Sequence, residues 1–460
     1  MASKDRISVA AIVVSQVAPP FMFSGVAVAL PSMGVELDAG ATTLGLVATV
    51  FLAGSLAFLL PLGRLADATD KRTIYKVALL LFAIVTAAIG WMSWIPGILA
   101  LRFIQGVIAA AIGATGPALV ADIVPPERRG RAYGALLGAV YAGLTLGPVC
   151  AGLLIRVASW RAVFFIGAGL LLLAFSLVAL TLPSRWRRST RSAQLPSAAL
   201  IVVAVSCLVA GSATLRLGSL GIALLSAGVV LSIVFVLIQR RLEDPLLDVR
   251  ALARHRIMRD ALLVQLLVYM SAYCLVFMLS IYLQVSLGHS AEKSGLLLAL
   301  ASLLMAASAP VAGALSDRVS PRVIASLGVG SVLACTLMAT QLGPQTSLAY
   351  VAVLVVLQGL GYGLFASPNM TIIMNSATAQ TVGMASALSA KSRALGMILG
   401  MLVTVVLISW KLGDAPVEQH PAEFIEVVVV GFEVLALVGA VALLISVSTG
   451  RARSGEAQPG

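Results

Sequence analysis

Fourteen long apolar runs, separated by short polar connections, constrain this chain more than any other feature. A run of about 20 apolar residues crosses a bilayer as a helix, because each residue advances the helix by about 1.5 Å. In lipid, only helices and closed β-barrels satisfy the hydrogen bonds of their own backbone. These runs are too long and too continuous for barrel strands, so we predict helices. The predicted spans are 8–31, 42–62, 73–93, 98–122, 132–155, 161–182, 196–214, 218–238, 260–284, 294–315, 322–342, 348–373, 382–410 and 424–448.

The composition excludes a soluble globular protein. The 460 residues are 60% hydrophobic and 11% charged, whereas soluble domains carry about 25% charged residues. We therefore predict an all-α integral membrane protein. The first run is long enough to span the bilayer, so we expect no cleaved signal peptide. The four cysteines are single residues inside apolar runs, and their spacing predicts no metal site.

Basic residues cluster on one side of the predicted membrane. With the N-terminus in the cytoplasm, 23 of the 31 Lys and Arg residues fall in cytoplasmic segments, as the positive-inside rule requires. The loop 31–41 on the other side carries two acids and no base. Membrane topology therefore accounts for the net charge of +12, and we expect no nucleic-acid partner. Both termini are predicted to be cytoplasmic.

A charged turn occurs twice, 250 positions apart, as GRLADATDKR over 63–72 and GALSDRVSPR over 313–322. In each copy a glycine leaves one span, an aspartate follows four residues later, and bases open the next span. Asp70 in the first copy and the Ser320–Pro321 pair in the second are suited to begin the following helices. One copy alone is an ordinary capped loop. Two copies after even-numbered spans favour duplicated halves, which are common in secondary transporters.

The first copy resembles motif A of the major facilitator superfamily, the loop between its second and third helices. The matching residues are Gly63, Leu65, Asp67, Lys71 and Arg72, and the second copy supplies Gly313, Asp317 and Arg318. The resemblance implies a gating latch on the cytoplasmic face that steadies the outward-facing state. Its partner would be Asp122, at the inner end of the fourth span; the alternative is that Asp122 is an ordinary interfacial residue.

Two further segments carry the resemblance. LALRFIQG, which runs from Leu99 to Gly106, is similar to motif B, with Arg102 as its buried arginine. GLTLGPVCAG is similar to motif C, which marks antiporters in this superfamily. The residues that carry motif C are Gly143, Gly147, Pro148 and Gly152. Fourteen spans with an inserted pair at 196–238 are typical of the drug:proton antiporter group.

The resemblance implies a fold and a domain organisation. The expected major facilitator fold has two six-helix bundles and two extra central helices, fourteen transmembrane helices in all. The N-terminal bundle, the inserted pair with its cytoplasmic linker, the C-terminal bundle and a flexible tail are expected at 1–192, 193–259, 260–450 and 451–460. The resemblance also implies a monomer in the plasma (inner) membrane of a bacterium, powered by the proton gradient and needing no cofactor.

The fifth span carries glycines in two groups, on nearly opposite sides of the helix at 3.6 residues per turn. The groups are Gly143 with Gly147, and Gly134 with Gly138 and Gly152. Neighbouring helices can therefore approach on both flanks, and Pro148 is expected to kink the span. We interpret this span as a bendable seal between the halves; the alternative is ordinary small-residue packing.

Charged residues inside spans are candidates for function. A charge in the bilayer centre costs at least about 2.5–3.5 kcal/mol, so Arg102 is expected to face a cavity or a partner rather than lipid. One interpretation is that Arg102 relays charge between a protonated acid and the substrate. The alternative is a snorkelling side chain near the outer end of its span.

The first span lacks the aspartate that the family places there, and Met22 occupies its position. Glu426 and Glu433 are seven residues apart and share a face of the last span. We predict that Glu433 carries the proton, with Lys391 as its partner at a comparable depth; the alternative is a static structural pair. Arg393 points about 200° away from Lys391, so the two cannot both face one cavity.

Nine polar side chains within the spans are candidates for a substrate cavity, although each would serve equally in an interhelical hydrogen bond. They are Gln16, Gln105, Tyr141, Gln265, Tyr269, Tyr273, Gln358, Tyr362 and Asn369. A cavity with Arg102 and Lys391 but no acid at position 22 is expected to favour neutral or anionic molecules over cationic dyes.

The favoured function is a proton-coupled exporter of drugs or small amphipathic metabolites that works by alternating access. The alternatives are an uptake symporter on the same fold and an exporter dedicated to an anionic metabolite such as a siderophore. A membrane enzyme would need a nucleophile with its base, or metal ligands at one depth, and the three histidines all fall outside the predicted spans. A purely structural or receptor role would leave the duplicated turns unexplained.

Overall fold

The computed structural model describes residues 3–182, 194–215, 218–242, 245–246, 255–316, 318–376, 382–413 and 415–451. These residues form fifteen α-helices and no β-strand. The helices are α1 Ser3–Ser15, α2 Ala18–Leu37, α3 Ala41–Ala68, α4 Lys71–Trp91, α5 Ile95–Ile123, α6 Pro126–Val157, α7 Trp160–Thr181, α8 Leu195–Ala213, α9 Ser219–Gln239, α10 Arg256–Ile281, α11 Ala291–Leu315, α12 Pro321–Ala339, α13 Leu348–Asn375, α14 Val382–Lys411 and α15 Pro421–Arg451. A π-helical turn, Tyr282–Ser286, extends α10.

The structure confirms the prediction of a helical membrane protein. Thirteen helical segments within the described residues are long and apolar enough to cross a bilayer. Pro196–Ser212 is a shorter apolar helix at the place of the remaining predicted span. Helix α6 begins six residues before its predicted span, because Pro126 in its first turn needs no amide hydrogen there.

The first span is divided between α1 and α2. Pro19 and Pro20 lack the amide hydrogens that would bond the carbonyls of Ser15 and Gln16, which ends the first helical segment. The side chains at the break bind α4 instead. Ser15 Oγ lies 2.5 Å from the hydroxyl of Tyr75, and Gln16 Nε2 donates to the same hydroxyl at 2.9 Å. Tyr75 is fully buried, so the break is a fixed feature of the bundle.

The helices pack in two sets that repeat the same pairing. In the first set α2 packs on α6, α3 on α5 and α4 on α7. In the second set α10 packs on α14, α11 on α13 and α12 on α15. The second pattern is the first one shifted along the chain, as expected for duplicated halves. Across the halves, α6 packs on α11 and α3 packs on α14. These two contacts are equivalent, because α6 corresponds to α14 in the repeat and α3 corresponds to α11.

The inserted helices α8 and α9 pack mainly on each other. Helix α8 also contacts α3 and α14, so the pair lies beside the seam where these two helices meet. The linker that follows is tied to α9 and to α14. The amide of Leu246 donates to Gln239 Oε1 at 2.6 Å, and Lys391 Nζ donates to the carbonyl of Leu246 at 3.3 Å.

One face of the bundle, called here the basic face, carries the connections 69–70 and 124–125 and the residues 318–320. Helix α4 begins there at its predicted cap, since Asp70 accepts hydrogen bonds from the amide of Arg72 and the hydroxyl of Thr73. Helix α12 begins as predicted at Pro321, but the side chain of Ser320 makes no capping hydrogen bond.

The two halves meet closely at the face opposite the basic face. Arg156 and Glu292 form an ion pair at 2.8 Å between α6 and α11. Thr42 Oγ1, at the start of α3, donates to the carbonyl of Gly413 at 2.6 Å, just beyond α14. Between α10 and α2, Ser280 Oγ donates to the carbonyl of Ala27 at 2.8 Å. These contacts close the bundle on this face.

The glycines of α6 pack against two different helices, as the sequence predicts. A Cβ added to Gly143 would collide with the carbonyl of Val17, and one added to Gly147 would lie 2.7 Å from the carbonyl of Phe21. On the other flank, a Cβ on Gly152 would lie 2.8 Å from the carbonyl of Ala291 in α11. Helix α6 is therefore packed closely against its own half and against the other half.

Two substitutions in α6 separate close packing from helix propensity. Alanine at Gly143 meets the backbone beside α2, and overpacking of this kind costs about 1–3 kcal/mol. Alanine at Gly138 meets nothing within 4 Å, so the higher helix propensity of alanine is expected to maintain or raise stability. Thermal unfolding of the purified variants in one detergent measures the difference. Equal melting temperatures for Gly143→Ala and Gly138→Ala would contradict the close α2–α6 contact.

Candidate functional site between the two halves

The two copies of the charged turn occupy equivalent places in the two halves. Gly63 in α3 faces Ala114 of α5, and an added Cβ would lie 3.7 Å from that side chain. Gly313 in α11 faces Ser367 of α13, where an added Cβ would lie 2.9 Å from the hydroxyl. Arg318 is exposed just after the second turn. The Asp67 side chain and the whole of Asp317 lie outside the described part of the chain.

The predicted latch contact is present in the first half. Lys71 Nζ, in the first turn of α4, lies 3.3 Å from Asp122 Oδ2 at the end of α5. Asp122 is therefore an ion-pair partner and not merely an interfacial residue. Both residues belong to the same half, so this pair ties α4 to α5 at the basic face.

Arg102 is enclosed inside the first half. Its side chain is fully buried, its Nε donates to the carbonyl of Val47 at 3.0 Å, and its Nη1 donates to Gln105 Oε1 at 2.5 Å. The guanidinium carbon lies 4.5 Å from the centre of the Phe51 ring. Gln105 in turn donates to Thr86 Oγ1 at 2.7 Å. The snorkelling interpretation is wrong, because polar partners and an aromatic ring compensate the charge within the bundle.

Met22 also points into the first half. Its side chain is fully buried, and its sulfur lies where a Cβ on Gly167 of α7 would be. A side chain at position 22 therefore packs between α2 and α7. An acid at this position would therefore lie inside the first half and not in the space between the halves.

A cluster of aromatic and cationic side chains lies between the halves. The rings of Tyr269 and Tyr362 pack with their centres 5.6 Å apart, and the guanidinium carbon of Arg393 lies 5.8 Å from the Tyr269 ring centre. Tyr141 of α6, which belongs to the first half, lies close to Tyr269 and Arg393. We call these four residues the midplane cluster, because each lies near the middle of its helix.

The second half supports the midplane cluster. The hydroxyl of Tyr362 donates to the carbonyl of Val268 at 2.8 Å and lies 3.0 Å from Ser271 Oγ. These bonds fix the Tyr362 ring under Tyr269. Ser280 lies three turns after Tyr269 along α10, and there it bonds α2. The contacts that close the bundle therefore lie between the midplane cluster and the face opposite the basic face.

Five of the nine predicted cavity residues form interhelical hydrogen bonds, including Gln105 and Tyr362 through the contacts described above. Gln265 Nε2 donates to the carbonyl of Ser389 at 2.7 Å, and its Oε1 accepts from Asn369 Nδ2 at 3.2 Å. Gln16 bonds Tyr75 at the break in the first span. Gln358 is buried in α13. The Tyr273 side chain lies outside the described part of the chain.

The predicted partnership of Lys391 with Glu433 is wrong. An ion pair of 2.6 Å between Lys411 and Glu426 sets the register of α14 against α15. From that pair, Lys391 lies 20 residues back along α14 and Glu433 lies 7 residues along α15. At 1.5 Å per residue their depths differ by about 20 Å. Both Glu426 and Glu433 lie on an exposed face of α15, which they share with Leu437.

Arg393 is the cluster residue that the candidate cavity set leaves out. The sequence instead predicts Lys391, as the relay partner of Glu433, to be a cation of the cavity. In the structure Lys391 donates to the linker carbonyl of Leu246, and Arg393 lies in the space between the halves. The signal in the sequence is the rotation of about 200° between the two residues. Gly396 and Gly400 decide which of them faces α10, because an added Cβ on either would collide with carbonyls of that helix.

An acid at position 22 is expected to destabilise the protein rather than to enter a cavity. In Met22→Asp the carboxylate is buried against α7 within the bilayer, which costs at least about 2.5–3.5 kcal/mol. Met22→Leu keeps the volume and is the matched control. Thermal unfolding of both variants measures the cost. Wild-type stability of Met22→Asp would show that position 22 faces water.

The Lys71–Asp122 pair is expected to contribute about 0.2–1 kcal/mol, because both side chains are partly exposed. A double-mutant cycle of Lys71→Gln and Asp122→Asn on thermal stability measures this coupling. Lys76 lies on the same helix and donates to the carbonyl of Leu182 instead. The parallel cycle of Lys76→Gln with Asp122→Asn is expected to give no coupling. Equal coupling in both cycles would exclude a specific latch contact.

Relatives with names that refer to resistance and export match most of the chain. The Multidrug resistance protein Stp of Mycobacterium tuberculosis is 30% identical over 405 residues, which cover 85% of this chain and 74% of the relative. The Puromycin resistance protein pur8 of Streptomyces alboniger is 31% identical over 81% of this chain and 76% of its own length. The Tetracenomycin C resistance and export protein of Streptomyces glaucescens is 28% identical over 85% of this chain and 73% of its own length.

Solved structures share the fold across the whole chain. A bacterial homolog of the human lysosomal transporter Spinster, in an inward-facing and unoccupied conformation, superposes with a TM-score of 0.73. It covers 100% of this chain and 99% of its own, at 14% sequence identity. The family model of the Major Facilitator Superfamily matches residues 12–401 and 261–458. The repeated halves, the thirteen described segments that can cross a bilayer and these matches agree, and the chain belongs to the Major Facilitator Superfamily.

Proposed function

We propose that this protein exports small amphipathic molecules, drugs or metabolites, by alternating access between its two halves. The observation that carries the proposal is the midplane cluster, which joins Tyr141 of the first half to Arg393 and Tyr269 of the second. A site at the interface of two repeated bundles can open to either side when the bundles rock. Relatives that carry resistance and export names support the outward direction.

The basic face is proposed to be the cytoplasmic face of a bacterial plasma membrane. Basic residues at the helix ends favour this orientation, with both termini inside. The contacts between Arg156 and Glu292 and between Thr42 and Gly413 would then close the outer side. Such a molecule accepts its substrate from the cytoplasm, which is the loading state of an exporter.

We propose the proton gradient as the energy source, with antiport as the mode and a monomer as the working unit. Motif C supports antiport, because Gly152 and Gly143 let α6 seal against both halves and so limit leak. Uptake by symport on the same fold is the alternative. The two directions differ in which side of the membrane must be acidic for a substrate to accumulate.

Transport by reconstituted protein tests direction and coupling. In proteoliposomes with the basic face outward, an acidic lumen is expected to drive accumulation of a fluorescent amphipathic substrate, and a collapsed gradient to abolish it. Accumulation driven only by an acidic exterior would establish symport and overturn the proposal. Glu433→Gln is the variant that tests the proton carrier, and an unchanged response to the gradient would reject Glu433 in that role.

A further inference from the structure

We infer that the midplane cluster is an anion site, and that the substrate is an organic anion with a planar apolar part. This inference rests on the proposed export function and names its substrate class. Arg393 would bind the carboxylate or a similar anionic group. The rings of Tyr269 and Tyr141 would pack against the apolar part.

The charges around Arg393 carry the inference. Its guanidinium lies near the bilayer midplane, where an uncompensated charge is costly. Among the described residues, no carboxylate lies within ion-pair distance of Arg393. Asp260, the one described acid of α10, lies near the basic face and pairs there with Arg259 at 2.9 Å. Glu433 lies on an exposed face of α15 beside Leu437, which is 71% exposed.

Geometry leaves Arg393 open to a ligand. Its side chain is half-buried, whereas Tyr269 and Tyr362 beside it are buried. A guanidinium that lies over an aromatic ring still presents its N–H groups at its edge, where a carboxylate can accept two of them. Tyr141 and Tyr269 both lie close to Arg393, and the hydroxyl of either tyrosine can turn its hydrogen to an anion.

The two other in-span cations are committed elsewhere. Arg102 is fully buried in the first half, bonded to Val47 and Gln105. Lys391 donates to the carbonyl of Leu246 in the linker. The preference for anions expected from the sequence therefore depends on Arg393, a residue that the expectation did not include.

Binding of a matched probe set tests the site without transport. The probes are 2-naphthoate, the neutral 2-naphthamide and the cationic 2-naphthylmethylammonium, which share one ring system. Wild-type protein in nanodiscs is expected to bind the anion at least tenfold more tightly than the amide, and the ammonium most weakly. Arg393→Gln is expected to remove the preference for the anion, and Lys391→Gln, the matched control, to preserve it.

Arg393→Lys keeps the positive charge, so it keeps the test decisive if Arg393→Gln fails to fold. It is expected to retain part of the anion preference, because lysine lacks the planar two-point contact. A preference that survives in Arg393→Gln, a preference for the ammonium, or no naphthoate binding by folded wild-type protein would each overturn the inference. Export of a neutral or cationic substrate would then leave the proposed function standing. Anion binding without any transport would overturn the export function alone.

Discussion

The need to compensate a charge inside the bilayer governs how the centre of this protein is built. Its three in-span cations meet that need in different ways. Arg102 is enclosed by a carbonyl, an amide and a ring, so its charge is part of the first half. Lys391 reaches the carbonyl of Leu246 and so ties the inserted linker to α14. Arg393 lies over Tyr269 in the space between the halves. Of the three, Arg393 is the one whose compensation a ligand can complete.

Glycines allow close helix packing at equivalent places within the two halves, but not at equivalent places between them. Gly143 and Gly147 set α6 against α2, and Gly396 and Gly400, with the same spacing, set α14 against α10. The copies diverge at the seams between the halves. The α6–α11 seam brings Gly152 against backbone, whereas the α3–α14 seam sets the side chain of Val405 against Gly45. Backbone contact permits the closer approach, so the two seams are not mechanically equivalent.

Much of the fold could be predicted from the sequence, because run length decides whether a helix can span lipid. Direction around a helix was also predictable, as the two glycine flanks of α6 show. Axial register between helices was not. Helical periodicity shows that Glu433 and Glu426 share a face, but it does not show how deep Glu433 lies relative to residues of α14. The Lys411–Glu426 ion pair fixes that relative depth in the folded protein. The charge of Lys391 suggested an acidic partner, but in the structure its amine donates to a main-chain carbonyl of the linker. A backbone partner of this kind leaves no signal in the sequence.

The predicted latch pair, Lys71 with Asp122, lies wholly within the first half. Rocking of two rigid bundles changes contacts between them and leaves contacts within each bundle as they were. The Lys71–Asp122 pair joins α4 to α5 inside one half. A contact that is the same in both states cannot shift the equilibrium between them. The pair therefore holds the first turn of α4 against the end of α5 and does not by itself favour one state. In the proposed alternating access, the free-energy difference between the states would depend on contacts that rocking must break, such as Arg156 with Glu292 and Thr42 with Gly413.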